Sequence, residues 1–300
     1  MKSNKFNKKN IMKICKILFL VLVAIFLAKY FYTSWDDIKK IDWGKFNWGI
    51  FILSIFLYFA YKVTLASLWH YITKLNKCSI KYTKAVTSYL YSILSKYIPG
   101  KVFMLAARIP GYQEEGVPMR KVTICFFLEN ICTLLGAAFL FLISLFFFPN
   151  ELLANYKWAT IGLVILFFIC INPKIINFFL SKLGKLMKKD DMEITITYPQ
   201  MIKVVLLFIC NWLIVGTGFY ILVVSLYPSV GFSQWLYVGG IYGLSAIIGI
   251  LAIFTVSGLG VREGILIAGL ILIMPKEYAV IISIVSRLWA TIAELILILV

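Results

Sequence analysis

Two short stretches break an otherwise apolar chain with glycine, proline and charge: Ser95-Lys96-Tyr97-Ile98-Pro99-Gly100-Lys101 and Ser257-Gly258-Leu259-Gly260-Val261-Arg262-Glu263-Gly264. Each delivers a cation, Lys101 or Arg262, into sequence that otherwise reads as membrane. Glu129, Arg287 and Glu294 add ionisable groups inside apolar runs. Charge at membrane depth is costly and marks function by default. Cations there can hold a phosphate through charge-assisted hydrogen bonds while neighbouring acids tune them. Lys101 and Arg262 are therefore the candidate head-group ligands, with Glu129, Glu263 and Arg287 as the surrounding charge network. Pro99, Gly100, Gly258, Gly260 and Gly264 supply the turns. Half-helices starting at Gly100 and Gly264 would add backbone donors for the same anion. A competing reading makes both stretches tight loops at the membrane surface, and the charges buried salt bridges that pin helices.

Other chemistry finds little support. The chain has one histidine, His70, and no Ser-His-Asp set, P-loop or dinucleotide fingerprint. Its six scattered cysteines form no CxxC, so no metal site, cofactor or disulfide framework is expected. Two alternatives stay open. One is an intramembrane lipid-modifying enzyme using Glu129 or Glu263 as a base. The other is a non-catalytic accessory protein working beside enzymes of envelope lipid or polysaccharide assembly.

The elements that must position these residues are helices in a bilayer. Of 300 residues, 62% are hydrophobic and 14% charged, whereas soluble domains are about 45–50% apolar. The formal charge of +17 suits loops beside anionic lipid and signals no nucleic-acid partner. The apolar runs give about six full spans, at 17–28, 46–61, 122–148, 158–171, 204–226 and 279–300. Two broken elements carry the polar stretches, one over 86–109 and one over 236–274. The arms of the first, about 12 and 9 residues, rise only about 18 and 14 Å, short of the roughly 30 Å hydrocarbon core; both elements are read as re-entrant. Segments 1–16, 62–84, 108–121 and 174–203 then place 20 basic residues on one side, against five on the other. That asymmetry puts the amino terminus in the cytoplasm of a multi-pass plasma-membrane protein.

The expected fold is an all-α integral membrane protein with one domain over residues 1–300. Each half reads span, span, re-entrant hairpin, span, the first over 14–148 and the second over 158–300. The halves start on opposite sides, which makes them candidate inverted repeats and gives Glu129 and Arg287 like positions.

Lys96-Tyr97-Ile98-Pro99-Gly100-Lys101, followed by Glu129 in a span, resembles the first signature of the flippase-like family, also known as the lysylphosphatidylglycerol synthase transmembrane region. Gly258-Leu259-Gly260-Val261-Arg262-Glu263-Gly264 resembles its second, a Pro-Gly-rich turn ending in Gly-x-Arg-Glu, with Val256-Ser257 standing in place of Pro-Gly. The resemblance covers nearly the whole chain. It implies a membrane protein that moves lipid or lipid-linked molecules, here anionic ones, between leaflets. Some members also carry a cytosolic lysyl-transferring domain. The longest polar stretch here is about 30 residues, well short of a domain of about 100, so transport without lysyl transfer is expected.

Overall fold

The computed structural model describes residues 46–93, 102–147, 171–186, 193–252 and 260–299, with isolated positions between them. Among these residues the chain forms nine α-helices and no strand. They are α1 (Trp48–Leu75), α2 (Tyr82–Ile93), α3 (Val102–Gln113), α4 (Met119–Phe147), α5 (Pro173–Leu186), α6 (Tyr198–Leu226), α7 (Trp235–Leu251), α8 (Val261–Leu270) and α9 (Lys276–Leu299). A 3-10 turn, Phe232–Gln234, leads into α7. Five helices are long and apolar enough to cross a membrane: α1, α4, α6, α7 with its leading turn, and α9. This is the expected all-α membrane class.

Local signals start the helices. The Asn47 side chain accepts from Ile50 N–H at 3.1 Å and caps α1. At α6 the Gln200 carboxamide accepts from Thr197 N–H at 3.0 Å, and Pro199 sits in the first turn, where its missing donor costs nothing. In lipid such apolar helices gain little from burial against one another, so small residues that allow close packing do much of the joining. A Cβ on Gly216 of α6 would stand 3.1 Å from Gly239 Cα of α7. Trp212 of α6 donates its Nε1–H to Thr133 O of α4 at 2.9 Å. Helices α1 and α6 run antiparallel: Asn47 N–H donates to Ser225 O at one end, and Thr195 N–H to Asn76 Oδ1 at the other.

Several sequence boundaries move. The span read as 46–61 continues to Leu75, so Lys62 lies inside α1 and is buried, not in a polar segment. Arg108, assigned above to the turn 108–121, is buried inside α3, which continues through Pro110 to Gln113. Both leave the basic tally, whose asymmetry survives their loss. The polar connection 174–203 contains the amphipathic α5. The first arm of the second broken element, α7, is long enough with its leading turn to cross a membrane, whereas α8, at 10 residues, would rise only about 15 Å. The span read at 17–28 lies outside the described residues, as does half of that read at 158–171.

Candidate functional site

Three clusters of charge sit in the helix core. In the first, α3 packs against both α2 and α4, and Arg108 of α3 pairs with Glu129 of α4. Their side chains are 1% and 6% exposed. The guanidinium lies 4.3 Å from the ring centroids of both Trp69 and Tyr89, and 5.2 Å from that of Phe126. Its Nε–H donates to Ser92 Oγ at 2.9 Å. Three aromatic faces and a full set of donors and acceptors make this pair a closed unit.

The second cluster begins at the α7–α8 turn. Gly258 and Gly260 have φ of +71° and +81°, a region L side chains avoid. A Cβ on Gly258 would also meet Gly249 Cα of α7 at 2.7 Å. The turn therefore brings the start of α8 back onto α7. Glu263, in the first turn of α8, accepts from Gly260 N–H at 2.7 Å and from the Arg287 guanidinium of α9. An acid is stabilised here by the helix amino terminus as well as by its cation. Arg262 stands beside it, half-buried, with its guanidinium 4.6 Å from the centroid of Tyr242 of α7. Its Nε finds no hydrogen-bond acceptor, and no carboxylate among the described residues pairs with it.

The third cluster joins α1 and α9. Lys62 of α1 pairs with Glu294 of α9 at 2.8 Å, and Tyr58 O–H donates to the same carboxylate oxygen at 2.8 Å. The ammonium also sits 5.4 and 5.2 Å from the centroids of Tyr58 and Tyr61.

The structure brings Glu263 and Arg287 together and sets Arg262 next to them, as the sequence reading grouped them. Glu129 is not part of that network; it belongs to Arg108. Lys101, Pro99 and Gly100 lie outside the described residues. Gly258 and Gly260 form the turn as expected. Gly264 does not: it lies inside α8, its N–H bonded to Gly260 O at 3.0 Å, so the helix amino terminus is at Val261. Arg108 and Lys62 were missed because each was assigned to a polar segment. For Lys62 the available signal was a lone cation in the apolar run from Trp48 to Trp69. The thiols of Cys78 and Cys125, read as scattered, approach to 3.3 Å as free cysteines.

An opening between α4 and α5 has a volume of about 300 Å³ and is lined by Phe127, Ile131, Leu135, Ile175 and Phe179 among others. It is apolar and offers nothing to an anion. The charged core therefore remains the candidate site. No match to the chain was found among curated proteins. Over residues 14–298 it matches the lysylphosphatidylglycerol synthase TM region, and it belongs to that family.

Proposed function

We propose that this multi-pass protein moves an anionic phospholipid or lipid-linked intermediate between leaflets of the plasma membrane, acting as a transporter rather than an enzyme, with its amino terminus in the cytoplasm. One observation carries the reading. Glu129, Glu263 and Glu294 each form an ion pair, whereas no ion pair of Arg262 is found among the described residues and its Nε has no acceptor. A guanidinium with no ion-pair partner inside a bilayer protein is expensive unless an anion visits it. A lipid phosphate supplies that charge, and a planar guanidinium can grip two of its oxygens at once. The α8 amino terminus adds a favourable field beside it. The like order of elements in the two halves, a long helix, two shorter ones and a long one, supports inverted repeats with this site between them. Lys101 is the proposed second contribution from the first half.

The test is leaflet exchange of fluorescent phosphatidylglycerol in proteoliposomes, with phosphatidylcholine as the neutral control. Wild type is expected to move the anionic lipid, and Arg262→Ala to lose at least tenfold in rate while keeping its fold. Arg262→Ala moving lipid at the wild-type rate would refute the site. Wild type inert to every anionic lipid would favour the accessory role in envelope assembly.

A further inference from the structure

Cys78 and Cys125 belong to different elements yet meet inside the protein. Cys78 stands in the turn between α1 and α2, and Cys125 in the second turn of α4. Their sulfurs are 3.3 Å apart across 47 positions of chain, and both residues are buried. The Cys78 S–H donates to Thr73 O at 3.3 Å, so the hydrogen between the two sulfurs is that of Cys125. A thiol that donates to a neighbouring sulfur favours the thiolate there. Cys78 is accordingly the stronger nucleophile. The Cys125 hydrogen bond, helped by the charge of Lys121, holds the Cys78 thiol below its ordinary range against the effect of burial.

The turn gives a route in. Lys77 and Ser79, on either side of Cys78, are exposed. Lys77 holds a φ of +53°, a conformation that costs stability in any residue but glycine. A strained turn with exposed flanks opens more cheaply than the helices it joins. A small oxidant then reaches the Cys78 sulfur without the bundle coming apart.

We propose that Cys78 and Cys125 form an oxidation site, at which hydrogen peroxide converts the pair to a reversible disulfide that ties the α1–α2 turn to α4. The Cys78 thiolate attacks one peroxide oxygen and the O–O bond breaks. Cys78 becomes a sulfenic acid, and the other oxygen leaves as hydroxide, which takes up the proton that Cys78 gave up. The Cys125 sulfur then attacks the Cys78 sulfur, the S–O bond breaks, and the Cys125 proton goes to the departing hydroxide. The two thiols together lose two electrons and two protons, and one peroxide becomes two waters. The sulfurs have only to close from 3.3 Å to about 2.05 Å. The bond falls beside the sealed pair: Glu129 follows Cys125 by one helical turn, and Trp69, near the end of α1, covers Arg108. In the topology proposed above, the turn faces the cytoplasm, where thiols are kept reduced. The bond therefore forms under oxidative load and is undone by thiol reductants.

The experiment treats the purified full-length protein in detergent with dilute hydrogen peroxide, blocks the remaining thiols with iodoacetamide and maps linked peptides by mass spectrometry, with thermal unfolding alongside. Wild type is expected to link Cys78 to Cys125, to raise its Tm by several degrees and to lose both changes on adding dithiothreitol. Cys132, buried further along α4, is expected to stay a thiol. Cys78→Ala is expected to form no such link and to show no peroxide-dependent rise in Tm. Both thiols surviving conditions that oxidise the exposed Cys210 would overturn the site. So would oxidation of Cys78 that stops short of a bond, a bond from Cys78 to another cysteine, or a rise of wild-type size in Cys78→Ala. A Cys78–Cys125 bond that leaves Tm unchanged would overturn the tie between turn and helix. The wild-type peptide map decides the outcome even where Cys78→Ala fails to fold.

Discussion

Arg108–Glu129 and Glu263–Arg287 are built alike with the signs exchanged. In each half the second short helix carries one charge and the long helix after it carries the other. In each half, too, a tyrosine on the first of the two shorter helices covers an arginine on the second: Tyr89 over Arg108, and Tyr242 over Arg262. The difference is bookkeeping of charge. In the first half that arginine is also the salt-bridge partner, so the described cluster is neutral and sealed. In the second, adjacent Glu263 takes Arg287, and Arg262 is left over. One design therefore yields a structural pin in one half and an open cation in the other, and the position of one acid decides which.

The largest expected effect comes from breaking the sealed pair. Arg108→Ala strands Glu129 in the core and should cost about 3–5 kcal/mol, read as lost thermal stability and poor yield. Equal losses for Arg262→Ala would erase the contrast between the halves. Arg287→Ala should cost less, about 1–3 kcal/mol, because Glu263 keeps the Gly260 N–H and the helix field. A loss as large as that of Arg108→Ala would show the second pair to be as closed as the first. Gly258→Ala tests the turn that creates the asymmetry. Its positive φ and the nearby Gly249 backbone predict a penalty of about 1–3 kcal/mol, with transport lost beyond what unfolding explains. Wild-type stability and transport would show that the turn does not set Arg262.

The smallest effect lies at the surface. Lys84 bonds Glu115 at 2.6 Å, which holds the Glu115 carboxyl below its usual range and raises the Lys84 ammonium. The Glu115 contribution is present above the ordinary carboxylate range and fades as pH falls through the lowered value. In thermal scans from pH 7 to pH 3, Glu115→Gln should differ from wild type by at most a degree or so at pH 7, and by nothing at the acid end, as befits an exposed pair. A larger difference would mean that the α2–α3 hairpin leans on this contact.

Much of this was legible in the residues. Four of the six spans appear as α1, α4, α6 and α9 with shifted ends, and the paired short helices fall on the two broken elements. The shifts share a cause: a segment was ended at its first charge, whereas a helix ends where its backbone runs out of partners. Lys62 and Arg108 were lost to that rule.

Composition alone determined the class of this protein, because so apolar a chain must satisfy its backbone inside helices. The glycines of the second stretch foretold its turn, since positive φ is a property of the residue itself. The tertiary structure alone decided the pairings. Glu129 finds Arg108 across 21 positions, Arg287 finds Glu263 across 24, and Glu294 accepts from Tyr58 across 236. Nothing in those spacings names the partner. It is packing, through α6 against α1 and α8 against α9, that chooses which charges meet, and so which cation is left over.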